Sequence, residues 1–263
     1  MVFHIIVCIK QVPETTEIEI DPETGTLRRE GVPAVVNLFD LHAIEEAVRI
    51  KERHGGQITA ISMGPPQAES AVRDALALGC DEGILLTDKR FAGADTLATS
   101  YTLAQAIRKV GGFDLIICGM KTTDGDTAQV GPELAEELGI PHVAYVNRIR
   151  ELTESHMEVE KLMEDGYEIV RMPLPCLITV TKGINEPRLP SFKAKLQARK
   201  SRITIWSSKD LAGDPSRYGL TGSPTQVIKV FTPEPPARGE LITGNPKEQA
   251  ERLFQKLVEL KLI

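Results

Sequence analysis

Residues 118–132 read Cys118-Gly119-Met120-Lys121-Thr122-Thr123-Asp124-Gly125-Asp126-Thr127-Ala128-Gln129-Val130-Gly131-Pro132. This run leaves an apolar, strand-like segment and leads into a helical pattern. Small residues in it let a ligand approach the backbone, and unpaired N–H groups at a helix start favour a phosphate. The hydroxyls of Thr123 and Thr127 can add hydrogen bonds. Asp124 and Asp126 are awkward beside a bare phosphate, so they must face sugar hydroxyls, cap the helix or point away. There is no Walker lysine–serine pair and no GxGxxG. Two readings stand: a nucleotide cradle, and an ordinary capped turn between strand and helix.

Three other segments have similar standing. Asn37-Leu38-Phe39-Asp40 opens a helix, with Asp40 either a plain N-cap or a contact for ribose or adenine. Gly64-Pro65-Pro66, just past Met63, is by itself a turn. Residues 185–200 interleave bases (Arg188, Lys193, Lys195, Arg199, Lys200) with apolar residues. That pattern fits a solvated loop, or a docking loop in which charges steer an apolar anchor. The five histidines and the acids form no catalytic spacing. The four cysteines (Cys8, Cys80, Cys118, Cys176) form no CxxC pair and read as free buried thiols of a reducing, cytoplasmic protein.

Strand and helix patterns alternate along the first half and must position these segments. Strands are expected at His4–Ile9, Gln57–Met63, Gly83–Leu86, Phe113–Cys118 and His142–Val146. Helices are expected from Asp40 to the glycines at 55–56, and at Gln67–Leu78, Asp95–Val110 and Thr127–Leu138, the last interrupted by Gly131-Pro132. In the first helix Leu41, Ile44 and Val48 form the apolar stripe, with Glu45, Glu46, Arg49 and Lys51 on other faces. Residues 13–30 read as a solvent-facing hairpin. The alternation predicts an α/β fold: a doubly wound, mainly parallel, Rossmann-like sheet with helices on both faces. Ligands of such sheets bind beyond the carboxyl ends of the strands.

The second half reads differently. Met157–Leu162 and Tyr167–Met172 form a hairpin pattern, Pro175–Thr181 a core strand, and 182–200 a polar, basic loop. Past Trp206 the composition turns to Gly, Pro and Ser and fits an extended arm. A helix follows, with Asn245, Pro246 and Glu248 as cap, first residue and capping box, and with Ala250, Leu253, Leu257 and Leu260 as its stripe. The expected division is therefore an α/β nucleotide-binding domain over 1–206, including the loop 183–200, and an arm with a docking helix over 207–263.

The 263 residues are 41% hydrophobic and 26% charged, with a net charge of −6. Nucleic acid is disfavoured as a partner, because phosphate binding needs a basic face. No run approaches the length of a membrane span, and the start of the chain lacks the features of a signal peptide.

Together these segments resemble the electron transfer flavoprotein beta family across nearly the whole chain. Val7-Cys8-Ile9-Lys10-Gln11-Val12-Pro13 is similar to its opening strand and turn, and Glu45-Glu46-Ala47-Val48-Arg49 to its first helix. Glu168-Ile169-Val170 with Pro175-Cys176-Leu177-Ile178-Thr179 resembles its signature block, and 185–200 its recognition loop. The resemblance implies a heterodimer with a larger alpha subunit. It implies a nucleotide held by Cys8, Asn37, Asp40, Met63, Gly64, Gly119, Thr123, Asp124, Gly125, Asp126, Thr127, Ala128, Gln129 and Val130.

In ordinary members that nucleotide is AMP. In bifurcating members it is FAD, which accepts electrons from NADH and passes them to ferredoxin or flavodoxin and, through the alpha flavin, to a flavin dehydrogenase such as acyl-CoA dehydrogenase. Residues 124–132 and Gly222-Ser223-Pro224-Thr225-Gln226-Val227 resemble the bifurcating form. The recognition loop implies a docking anchor at Phe192, or else Leu189, with Lys193 and Lys195 beside it. Two alternatives remain: an AMP-holding, non-bifurcating beta subunit, and a nucleotide-binding α/β protein without redox function.

Overall fold

The computed structural model describes residues 2–14, 34–228 and 239–263. The expected hairpin over 13–30 lies almost entirely outside them. Two compact units are present, Met1–Ile228 and Lys229–Ile263.

The centre of the first unit is β1 (Phe3–Ile9), whose Ile5, Ile6 and Val7 are fully buried. Burial on both faces is what a continuous apolar run in a parallel sheet requires. Along the chain follow β2 (Gln11–Pro13), β3 (Ala34–Val36), helix α1 (Leu38–His54), β4 (Gly56–Met63), α2 (Glu69–Leu78), β5 (Glu82–Leu86), α3 (Thr96–Val110), β6 (Leu115–Gly119) and α4 (Val130–Leu138). The rest comprises β7 (His142–Leu152), β8 (His156–Met163), β9 (Gly166–Pro173), β10 (Cys176–Val180), α5 (Phe192–Lys200) and β11 (Thr204–Trp206).

One nine-stranded sheet has the order β11-β5-β4-β1-β6-β10-β7-β8-β9, while β2 and β3 pair separately. The pairings from β11 to β7 are parallel; β8 and β9 add an antiparallel extension. Helices α1 and α2 bury Ala43, Ile44, Ala47, Val48, Val72 and Ala75 against one face. Helices α3 and α4 bury Tyr101, Ala104, Ile107 and Leu134 against the other. The doubly wound α/β expectation is therefore met.

Four local expectations change. Asp40 is not the N-cap of the first helix: Asn37 occupies that position, and Asp40 is buried in the first turn. Helix α4 begins at Val130, not Thr127, because Asp126 and Ala128 have φ of 55° and 57°, outside the helical region. Its proline does not interrupt it, since Pro132 lies in the first turn, where no intrahelical donor is lost. The presumed loop 182–200 contains α5, with Ser191 as its cap accepting the Ala194 N–H at 3.1 Å.

Compact packing continues past the expected boundary at 206/207. Leu211 and Tyr218 are buried in the core beside Phe91 and Tyr101, so this Gly/Pro-rich stretch is folded onto the sheet through two large side chains. In the second unit, α6 (Pro246–Glu259) has the expected capping box between Asn245 and Glu248. None of its residues is buried, and Leu253, Phe254, Val258 and Leu260 are exposed. No helix among the described residues is long and apolar enough to cross a membrane.

Candidate functional site

The winding direction of the sheet reverses between β1 and β6, and Cys8 lies opposite Cys118 across that junction. A crevice beyond the strand ends is expected at such a junction. Cys8 and Gly119 sit at the carboxyl ends of β1 and β6, and Met63 at the end of the adjoining β4, followed by Gly64. The topology thus brings the sequence-predicted strand-end residues to one rim. Both facing cysteines are buried thiols, and the contact with the Cys8 sulfur, together with burial, pushes the Cys118 pKa up.

Asn37 links the two sides of this rim. It is fully buried, and its N–H donates to the Lys10 carbonyl at 2.9 Å. Its side-chain amide donates to the Lys121 carbonyl at 2.9 Å and accepts the Thr123 N–H at 3.1 Å. Asp40, 4% exposed, accepts the Lys10 N–H at 2.7 Å. Desolvation pushes the Asp40 carboxyl up to about 7, against the opposing hydrogen bonds from Asn37 and from the backbone of Lys10 and Gly119. Position 119 must be glycine for this packing: a Cβ there would overlap Asp40 Oδ1 and lie 2.8 Å from the Phe39 carbonyl carbon.

Beyond Thr123 the chain presents mostly backbone. The Asp126 N–H bonds the Thr122 carbonyl at 3.0 Å, and the Gly125 N–H the Thr122 hydroxyl at 3.3 Å. Gln129 caps α4 without a side-chain bond to the helix. Among the described residues, the N–H groups of Thr127, Ala128, Gln129 and Val130 meet no protein acceptor. A positive-φ residue followed by the right-handed Gln129 turns successive N–H groups towards one concavity, a geometry suited to anions.

The two carboxylates in this loop are each matched by a lysine. Lys10 Nζ contacts both oxygens of Asp124, at 2.8 and 2.7 Å, and Lys121 Nζ lies 2.6 Å from Asp126 Oδ1. Partial burial raises the Asp124 pKa, but the hydrogen bond and charge of Lys10 outweigh it and hold the carboxyl below its usual range. The repulsion that made the loop awkward for phosphate is thereby offset. Sequence spacing gave no sign of Lys10, which is 114 residues from its partner.

The start of α3 meets the same loop. Thr96 donates to Gln129 Oε1 at 3.3 Å and to Glu133 Oε1 at 3.1 Å. Asp95 caps α3 and also accepts the N–H and hydroxyl of Thr225, at 3.0 and 2.9 Å. Its own N–H donates to the Ser223 hydroxyl at 2.8 Å. Residues 223–225 therefore lie one position from the residue that touches Gln129.

The expected docking residues are elsewhere, beside α1 and α2. Leu189 is 92% and Phe192 79% exposed, and Lys193 and Lys195 are exposed on α5. Arg188 pairs with Glu45 and Glu52, and Asn185 with Glu46. Glu45 and Glu46, off the apolar stripe of α1, are nonetheless buried beneath this segment.

An α/β sheet with a donor-rich turn at its reversal point has the form of a nucleotide-binding fold. Comparison with known proteins narrows the class. Residues 24–211 match the family model described as "Electron transfer flavoprotein domain". The chain is 50% identical over 255 residues to the electron transfer flavoprotein subunit beta of Thermoanaerobacterium thermosaccharolyticum, covering 97% of each chain. It is 46% identical over 262 residues to the caffeyl-CoA reductase-Etf complex subunit CarD of Acetobacterium woodii, covering 99% and 100%. It is also 46% identical over 248 residues to Protein FixA of Azorhizobium caulinodans, covering 91% and 87%. The chain belongs to the electron transfer flavoprotein family.

Proposed function

We propose that this chain is the beta subunit of an electron-bifurcating electron transfer flavoprotein and holds FAD, rather than AMP, at the β1/β6 crevice. The observation that carries the reading is the 124–130 turn, with four consecutive N–H groups that meet no acceptor among the described residues and two lysine-paired carboxylates. That donor set fits a pyrophosphate. Asn37 would hold the turn in register from below, Thr123 and Thr127 would add hydroxyls, and Asp40 would fix the entry to α1 beside the adenosine. When bound, FAD supplies the redox chemistry: hydride acceptance from NADH and release of single electrons to ferredoxin or flavodoxin and, through the alpha flavin, to a flavin dehydrogenase.

The chain's own residues bind, orient and exclude water, and no acid or base is required of them. The beta-subunit name of one relative supports an alpha-chain partner. The CoA reductase complex named for another supports a dehydrogenase of CoA thioesters, such as acyl-CoA dehydrogenase. The exposed Leu189, Phe192, Lys193 and Lys195 would meet that dehydrogenase.

The test is the nucleotide content of the chain co-expressed with its alpha subunit, by acid release and chromatography. Two FAD and no AMP per heterodimer are expected, followed by NADH-driven reduction of ferredoxin. One FAD and one AMP would overturn the FAD assignment and leave a conventional electron carrier.

A further inference from the structure

The exposed apex between Leu189 and Phe192 is held at its base by a set of charged bonds to α1. The Arg188 guanidinium forks across two carboxylates. It reaches Glu45 through Nε at 2.7 Å and Nη2 at 3.1 Å, and Glu52 through Nη1 at 2.6 Å and Nη2 at 3.0 Å. The Arg188 backbone N–H adds a further bond to Glu45 Oε2 at 3.1 Å. Beside them on α1, Asn185 donates to the His42 carbonyl at 3.0 Å and to Glu46 Oε2 at 2.9 Å. The far side is tied to α2, where Arg73 Nη1 donates to the carbonyls of Ala198 and Arg199 at 2.9 and 3.1 Å.

Surface ion pairs contribute little when they join two mobile side chains. This one differs, because the Glu45 side chain is 5% exposed and the arginine makes two planar, bidentate contacts. It fixes the backbone entering the apex, directly before Leu189. The same helix begins at Asn37, which holds the nucleotide turn. One rigid element therefore carries both regions.

We infer that Arg188 is a positioning residue for partner docking, and that α1 is the mount holding the 189–192 apex at a set place relative to the nucleotide turn. The inference rests on the docking role proposed above for that apex. A preorganised apex binds without the ordering penalty that a mobile loop incurs, so loss of the mount should weaken encounter with the partner while flavin remains bound.

The experiment uses the full heterodimer with acyl-CoA dehydrogenase as electron partner, comparing Arg188→Ala, Arg188→Lys and the double variant Leu189→Ala/Phe192→Ala. Arg188→Ala should raise the KM for the dehydrogenase about tenfold, well beyond any fall in kcat, with flavin content unchanged. Lysine, which keeps the charge but loses the fork, should recover only part of this. Hydrogen exchange without the dehydrogenase should quicken at 185–192 in Arg188→Ala. A raised KM for the apex variant with a wild-type KM for Arg188→Ala would show that Arg188 positions nothing. A wild-type KM for both would sink the docking role and the inference with it. Unchanged exchange at 185–192 would overturn the mount whatever the partner.

Discussion

The turn at 120–130 and the segment at 185–200 both leave the carboxyl end of a core strand, yet they are held with different emphasis. The first is fastened from beneath by the buried amide of Asn37, which grips Lys121 and Thr123, while Gly119 allows Asp40 to seat against the strand ends and the Lys10–Asp124 ion pair ties its edge. Beyond that fastening it carries the N–H groups of 127–130 beside the lysine-paired Asp124 and Asp126. The second is fastened by charge, through Arg188 on Glu45 and Glu52, and its outward face is Leu189 and Phe192. A site that grips an anion needs bare backbone, which only buried supports can leave uncovered. A site that grips a protein surface needs protruding side chains and a stiff base.

If that contrast is right, the largest loss should come from Asn37→Ala. It orphans the Lys121 carbonyl and the Thr123 N–H, and should cost about 2–5 kcal/mol in urea-monitored stability and empty the nucleotide site. Retained stability together with full nucleotide content would break the comparison. Asp40 should show next, through pH. Its folded pKa of about 7 lies above the unfolded value, so its contribution is fully present below pH about 4 and is lost as pH rises to about 7. Asp40→Asn should flatten that slope, which spans on the order of 4 kcal/mol. Glu45 and Asp124 act in the other direction and only near or below pH 4, since their folded pKa values are lowered.

Gly119→Ala should cost about 1–3 kcal/mol by forcing Asp40 and Phe39 apart, read as a lower Tm with weaker nucleotide retention. Phe192→Ala should sit at the small end, within about 0.5 kcal/mol in stability and with unchanged flavin content, while slowing electron transfer to the dehydrogenase. A marked drop in its Tm would mean that the apex is packed rather than presented, and would erase the contrast.

Much of the framework could be read from local pattern. Runs such as Ile5-Ile6-Val7 and Leu115-Ile116-Ile117 are apolar on consecutive residues because both faces are covered, and the helices between them carry clear stripes. The turn proposed to hold the nucleotide shows in the sequence as a small-residue run after a strand. What local pattern could not give were bonds between distant positions. Lys10 with Asp124 and Arg188 with Glu45 join residues more than a hundred positions apart. The burial of Glu45 and Glu46 is likewise invisible in the sequence, since no spacing rule announces a buried carboxylate whose partner arrives from another segment. Helix α5 was missed because its face towards α2 buries only Ala198, too narrow a stripe to show periodicity. Asp40 is a good cap by type, yet Asn37, three residues earlier, takes that place, because Asp40 lies within the first turn.

The near-complete exposure of Leu189 has an evolutionary consequence. Folding places almost no demand on its side chain, and the bonds seating that stretch are made by its neighbours Asn185 and Arg188. Mutations at the tip can therefore accumulate without first passing a filter for foldability. If the tip meets the partner as proposed, a lineage could retarget its electrons to a new acceptor by changing a few surface residues while the scaffold stayed as it was.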